Sequence, residues 1–513
     1  MADRFDVEPY QTPIDVGDGI TLIAPGLSGE GFHYGRREQG QLRADTLESE
    51  YFRRSLDEAD LEDVHTLILP PGAPPPVAEG ERTRSVGKVA EDEMSLNVPA
   101  EGTETQYVMY QDEDGVMSVE IPERAEGTQA TGVRGGAFGR VFHYTIRLRR
   151  AEAKGETRGV LGVLGKKVIK VIARKLGAAA GTKLAAYLWE SRARSFEGFH
   201  GSAKSFDAGA LDELLTDKPD VFAGWKQHDG EKSLLFVHGT TSTTRGAFGG
   251  LRNFPDKAKE LFERYKNRVI GFEHHTLGRS VAANAVKLYD ELSHHPGTYT
   301  FDIICHSRGG LLARTLKELD EATIGSLTKQ ASWSRPKQSP IKIDRIVFVA
   351  TPNAGTDLAA PENLPKWLNR MANLASFIPD SAGSAPLAAV LAVASDLAAS
   401  LVTLPGLADM APDSPFLGKL NPPSVDSQRY WAVEANYHAA GPLLRAIKDP
   451  IVDGLFRGKD NDLVVPTEGV SIVGSAFSLP SPRVKKFAPA EGVSHTHFFV
   501  RDETWNYVLG ALQ

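Results

Sequence analysis

Three regimes of hydrophobic patterning follow one another along the chain. Up to about residue 150, short alternating or β-branched runs recur at 19–23, 64–69, 106–110, 116–121 and 141–148. Such runs, bounded by turn-forming residues, predict strands. Asp112-Glu113-Asp114-Gly115 sits between two of them as a hairpin connection would, and the proline-rich stretch 70–76 reads as a rigid spacer. From about 155 to 193 the spacing changes: Leu161, Val168, Ile169, Ile172, Leu176, Leu184 and Leu188 recur near a helical period. The expectation is an amphipathic helical linker over 153–200, divided near Gly177 and Gly181. From about 231 apolar strands at 234–237, 268–272, 299–305, 342–350 and 430–435 alternate with amphipathic helices at 257–265, 281–292 and 311–319. That alternation predicts a parallel sheet covered on both faces. The domains expected are therefore a β-rich 1–152, the linker, and an α/β domain over 201–513.

Composition narrows the function. The chain has 513 residues, 41% of them hydrophobic, which is too long for a single core. A net charge of -8 argues against nucleic acid as a partner. The single cysteine excludes an intramolecular disulfide and suits a reducing compartment. The first residues lack the apolar run of a signal peptide, so the expected location is cytoplasmic. The apolar stretch 385–404 contains Ser395, Asp396 and Ser400 and reads as a soluble helix. Lys166, Lys167, Lys170, Arg174 and Lys175 give the linker a basic face that would suit transient contact with an anionic membrane surface, although a packed helix with a solvated face is the stronger expectation. No His/Cys/Asp set has structural zinc spacing, and no metal or cofactor is expected.

Chemistry concentrates where a parallel strand ends. The run FDIICHSRGG at 301–310 passes from an apolar strand straight into a helix, with Ser307 at the bend. A nucleophile elbow needs small neighbours because the turn is strained and the helix must approach the strand closely. Gly309 meets the second requirement, while Cys305 stands where the strict pattern has its first glycine. Cys305 itself is expected to be buried in the strand end. Earlier in the chain, the strand at 234–237 ends in His238-Gly239-Thr240-Thr241. There Thr240 is the candidate for one oxyanion-binding amide, and Arg308, at the helix start, supplies the other.

Further motifs lie downstream. The run ATPNAGT at 350–356 resembles the T-P-x-x-G-[ST] loop of lipase-like hydrolases, which places Thr351, Pro352 and Asn353 at the border of the site with His238, Gly239, His306 and Gly309. The run GKDNDLVVP at 458–466 is similar to the N-D-G-x-V-P loop that carries the triad acid in bacterial lipases, with Leu463 where that family often has glycine. VSHTHFF at 493–499 precedes a C-terminal helix, where a triad histidine belongs, and GFEHHTL at 271–277 with Asn284 is similar to a segment of bacterial relatives. Residues 231–513 thus resemble the bacterial lipase-like branch of the α/β-hydrolase superfamily. The resemblance implies an α/β-hydrolase fold with a mostly parallel central sheet and a helical lid insertion, preceded by a smaller β-rich domain and a helical linker. It also implies a triad of Ser307, Asp462 and His495, with Asp460 and His497 as alternatives. Taken singly, an aspartate in such a loop is a turn former and a histidine near a terminus is solvated. Their joint occurrence in the order Ser, Asp, His is what carries the reading. His274 and His275 follow a strand end and fit a loop-capping role better than a pocket-lining one, and His294 and His295 read as surface residues.

The chemistry implied is ester cleavage through an acyl-enzyme. The long apolar insertion at about 357–428, with Trp367, Met371 and Phe377, reads as a lid and favours lipid or fatty-acyl esters. The alternatives are other small esters, thioesters or amides, and a hydrolase-fold binding module with little turnover. The partner of residues 1–200 is not readable.

Overall fold

The computed structural model describes residues 2–8, 12–38, 49–70, 89–90, 92–100, 106–113, 115–123, 141–148, 161, 166–174, 186, 190, 197–202, 208–215, 229–376, 385–398, 404–438, 456, 459–475 and 477–513. Two compact units emerge. The first gathers the described residues of Met1–Trp189 and Pro365–Val402; the second gathers those of Glu190–Leu364, Thr403–Ala439 and Asp449–Gln513. The described residues of Pro365–Val402, expected within the 201–513 domain, thus group with those of the N-terminal part.

Among the described residues, ten strands build the first unit: β1 (Asp3–Val7), β2 (Ile14–Gly17), β3 (Ile20–Ile23), β4 (Gly29–Tyr34), β5 (Leu61–Leu69), β6 (Glu93–Pro99), β7 (Gln106–Gln111), β8 (Met117–Glu120), β9 (Val141–Arg147) and β10 (Lys167–Arg174). They form a six-stranded antiparallel sheet in the order β1-β4-β5-β10-β7-β8 and a four-stranded one in the order β2-β3-β6-β9. One apolar cluster, with Val64, Leu67, Val108 and Ile169 from the first sheet and Leu22, Met94, Leu96 and Ile146 from the second, makes the pair a sandwich. The hairpin expected at Asp112–Gly115 joins β7 to β8. Asp112 Oδ1 accepts from the Val116 amide at 2.8 Å, and Gly115 adopts φ 82°, the left-handed geometry the turn requires.

The expected linker helix is corrected over Lys167–Arg174, which is the strand β10, paired on both sides by β5 and β7, while residues 186 and 190 are helical. The run KVIKVIAR carries four β-branched residues, and its apolar spacing fits a strand buried on both faces as well as a helix. Its lysines do not form a solvated basic face. Lys170 is fully buried and paired with Asp63, and Lys167 is buried and paired with Glu113. The helical expectations at 175–185 and the spacer at 71–76 lie outside the described residues.

The helices Leu364–Ser376 and Ala385–Ala398 lie within the expected lid span. The first caps the edge of the six-stranded sheet. Asn373 Oδ1 accepts from the Met117 amide at 2.9 Å, Asn373 Nδ2 donates to the Met117 carbonyl at 2.9 Å, and Asn369 Oδ1 accepts from the Val119 amide at 2.7 Å. Asparagine side chains here substitute for the missing neighbour strand of β8 and remove an edge that could pair with another chain. On the second helix, the Leu391 carbonyl accepts from the Tyr107 hydroxyl at 3.2 Å. No described helix is long and apolar enough to cross a membrane.

The second unit holds β11 (Gly198–Ser202), β12 (Asp229–Val237), β13 (Val269–Glu273), β14 (Thr298–His306), β15 (Ile341–Val349), β16 (Tyr430–Ala435) and β17 (Val484–Phe487), in the sheet order β11-β13-β12-β14-β15-β16-β17. Every pairing is parallel except β11 with β13. The five strands expected from the sequence are present; β11 and β17, at the two edges, were not anticipated. β14 sits at the centre, buried from Phe301 onward, as a strand covered on both faces must be. Its carboxyl end delivers Ser307.

Candidate active site

The strand β14 ends at His306 and the helix Gly309–Glu318 begins three residues later, leaving Ser307 and Arg308 to make the turn. Ser307 adopts φ 52°, a left-handed conformation that non-glycine residues rarely take. Its amide donates to the Val349 carbonyl of β15 at 2.9 Å, which fixes the bend against the sheet. The glycines explain how the turn fits. A Cβ on Gly309 would strike the Val237 carbonyl and come within 2.6 Å of the His238 carbonyl, and a Cβ on Gly239 would lie 2.6 Å from Ser307 Cβ. Cys305, in place of the strict motif's first glycine, is fully buried; its thiol lies 3.3 Å from the Val347 carbonyl, and burial pushes its pKa well up.

Ser307 Oγ lies 3.0 Å from His495 Nε2, and His495 Nδ1 lies 2.8 Å from Asp462 Oδ2. All three side chains are buried. Asp462 is held by its own loop: Oδ1 accepts from the amides of Val464 at 3.0 Å and Val465 at 2.8 Å, while Asn461 Oδ1 accepts from Leu463 at 2.9 Å. These are Asx-type turns, and they leave Oδ2 for the imidazole. Leu463 takes φ 89°, so the loop keeps a glycine-like backbone although a leucine stands there. A backbone bond from His495 N–H to the Asp462 carbonyl, at 3.0 Å, locks the two loops together. The alternatives point elsewhere. Asp460 is 3.6 Å from Lys486 Nζ, with both side chains about half exposed, and His497 Nδ1 bonds Ser494 Oγ at 2.6 Å.

Around this array the 238–241 loop lies against the nucleophile through Gly239. The Thr240 hydroxyl faces Met410 Sδ at 3.8 Å, and the Thr241 amide donates to Thr276 Oγ1 at 3.0 Å. That threonine hydroxyl in turn donates to the buried Glu190 carboxylate at 2.7 Å, which also accepts from the amides of Thr276, Leu277 and Gly278. A carboxylate seated in three consecutive amides is a strong anchor, and here it fixes the segment against which the Thr240 loop rests. The Arg308 side chain is buried and donates to the carbonyls of Gly406 and Arg279 at 3.0 and 2.6 Å, so it ties down the turn rather than facing solvent.

Of the residues expected to border the site, Gly239, His306 and Gly309 pack directly at the elbow. Thr351 fills the space beside Gly310. Asn353 is buried and committed to structure: Nδ2 donates to the Val470 carbonyl at 2.7 Å and its own carbonyl accepts from Asn421. Pro352 is buried in the same loop, which Thr356 Oγ1 joins to the acid loop through the Val464 carbonyl at 2.6 Å. His238 is fully buried, 3.2 Å from Glu273 Oε2 and stacked on His274 at 4.2 Å. His275 offers its carbonyl to Asn284 Nδ2 at 2.6 Å, which agrees with a loop-fixing role.

Two supports escaped the sequence reading. Glu190 comes from a stretch with helical spacing and no motif. Glu273 precedes the histidine pair within the GFEHHTL segment, and a buried acid next to histidines was the available signal.

No curated protein is similar in sequence. Among solved structures, lipase 1 from Pelosinus fermentans aligns over 55% of this chain and 97% of its own, at 14% identity and a TM-score of 0.36. EstA from Clostridium botulinum aligns over 55% and 87%, at 14% identity and 0.36. The enol-lactonase from Burkholderia xenovorans LB400 aligns over 56% and 93%, at 11% identity and 0.26. Residues 205–513, more than half of the sequence and the part that carries Ser307, Asp462 and His495, match the family described as "Domain of unknown function (DUF7379)", and the chain belongs to that family.

Proposed function

We propose that the second unit is a serine hydrolase acting on carboxylic esters, with Ser307 as nucleophile, His495 as base and Asp462 as the acid that orients it. The observation that supports this most is the unbroken chain from Asp462 Oδ2 through both imidazole nitrogens to Ser307 Oγ, at 2.8 and 3.0 Å. Both links fall within the range expected of a nucleophile and its base.

The steps follow from that order. His495 Nε2 takes the Ser307 proton as Oγ attacks the ester carbonyl, and Asp462 stabilises the imidazolium through the Nδ1–H bond. The amides of Thr240 and Arg308 are the proposed donors to the tetrahedral oxyanion. Arg308 directly follows the nucleophile at the start of a helix, where the dipole favours negative charge. A donor of this kind contributes roughly 2.7 to 4 kcal/mol to transition-state stabilisation. His495 then gives its proton to the departing alkoxide. The acyl-enzyme is cleared when water, deprotonated by the same imidazole, attacks it.

The substrate class proposed is the carboxylic ester. Within the span expected as a lid, Asn369, Asn373 and Leu391 bond strands of the first unit, and no acyl-chain length is proposed. A fluorophosphonate probe on the full chain tests the reading: Ser307 should be labelled, and Ser307→Ala should abolish both labelling and the hydrolysis of p-nitrophenyl esters. Labelling that persists in Ser307→Ala, or none in the wild type, would remove the proposal.

A further inference from the structure

The first unit brings together two buried histidines and one aspartate that lie far apart in sequence. His33 is on β4, His65 on β5, and Asp18 in the tight connection between β2 and β3. In the β4–β5 register His33 faces Leu67, so His65 is its diagonal neighbour on the same side of the sheet. His33 Nε2 and His65 Nδ1 are 3.1 Å apart, and Asp18 Oδ2 is 3.9 Å from the first and 3.7 Å from the second. We propose that Asp18, His33 and His65 bind one divalent cation of the zinc class, a site independent of the esterase reading.

Two features carry the proposal. The first is size: a triangle with those sides has a circumscribed radius of about 2.1 Å, so one ion can lie at zinc bonding distance, about 2.0–2.2 Å, from all three atoms. The two imidazoles, hydrogen-bonded to each other through these nitrogens, would exchange that bond for the ion. The second is how the fold makes room. A Cβ on Gly17 would come within 2.8 Å of His33 Nδ1, and one on Gly35 within 2.5 Å of Asp18 Oδ2. Asp18 itself adopts φ 50°, a left-handed conformation that aims its carboxylate back at the imidazoles.

Asp18 is more than half exposed and gives the ion its way in, leaving the remaining coordination to water. The set joins the β2–β3 turn of one sheet to β4 and β5 of the other. Its role is then a staple across the sandwich, and no reaction is assigned to it.

The experiment uses the full chain, stripped with a chelator, dialysed and titrated with zinc against a chromophoric competitor. One equivalent should bind and raise the melting temperature. His65→Gln should lose that equivalent. Asp18→Asn, which keeps the side-chain shape and tolerates the left-handed backbone, should weaken binding by at least about tenfold while the far-ultraviolet circular dichroism stays unchanged. Cobalt substitution should give visible d–d bands that vanish in both variants. Failure of the wild type to retain zinc, or equal retention by wild type and either variant, would overturn the site; neither result touches Ser307 labelling.

Discussion

His306 donates its Nε2–H to the backbone carbonyl of His495 across 2.9 Å, so the residue just before the nucleophile holds the main chain of the proposed base. Burial, reinforced by the nearby His495, pushes the His306 pKa down to about 3, and the ring therefore stays a neutral donor through the working range. His306→Ala should lower kcat about 2- to 12-fold, the worth of one net hydrogen bond, with KM nearly unchanged. Steady-state kinetics across pH 6 to 9 checks this. A loss that appears in KM alone would mean that His306 contacts substrate instead of positioning His495.

The two candidate acids separate by substitution. Asp462→Asn keeps the loop's shape but offers His495 the wrong partner, and kcat should fall by about 10⁴. Asp460 meets Lys486 at a half-exposed site, so Asp460→Asn should change kcat less than about twofold. Initial rates on one ester, with both proteins matched for thermal stability, decide between them. A severe Asp460 variant beside a mild Asp462 variant would reassign the acid.

The elbow was legible because its signals are local. An apolar strand, a serine and a glycine within a few residues suffice, and Gly309 and Gly239 occupy the two places where a Cβ would collide. The resemblance of the downstream loops to the lipase-like pattern then pointed to Asp462 and His495, with Asp460 and His497 left as alternatives. The strand β10 was not legible for the opposite reason. Val168, Ile169, Val171 and Ile172 satisfy a helical spacing and a doubly buried strand equally well, and what decides is Asp63, 107 residues away, which accepts Lys170 into the interior. Asp18, His33 and His65 likewise have no spacing that a sequence reader could use. Only strand register and a left-handed turn unite them.

Lys170 tests that explanation of β10. Its ammonium is buried with Asp63, donates to Thr66 Oγ1 at 3.1 Å and lies over the Phe52 ring at 5.3 Å. Lys170→Met strands the Asp63 carboxylate in the interior and should cost about 3–5 kcal/mol, whereas adding Asp63→Leu should recover much of it. Urea unfolding of the full chain, followed by intrinsic fluorescence, reads the shift in the midpoint of the first unit's transition. A single variant as stable as the wild type would show that the pair is not buried as described.

Glu434, on β16 beside Ser471 and Lys486, makes stability depend on pH in a direction opposite to that of paired carboxylates. It is 5% exposed, its Oε2 has no hydrogen-bond partner among the described residues, and burial raises its pKa to about 7 from 4.5. The folded state therefore keeps a proton that the unfolded chain has already released. Its stabilising contribution is complete below about pH 4.5 and is lost as pH rises through about 7. The amount at stake is on the order of 1–3 kcal/mol. Glu434→Gln, neutral at every pH, should match the wild type near pH 5 and exceed it at pH 8, which flattens the fall across that window. Urea midpoints at pH 5, 6, 7 and 8 for both proteins measure the difference. Parallel profiles would mean that Glu434 is ionised in the folded protein and that its carboxylate finds a partner or solvent.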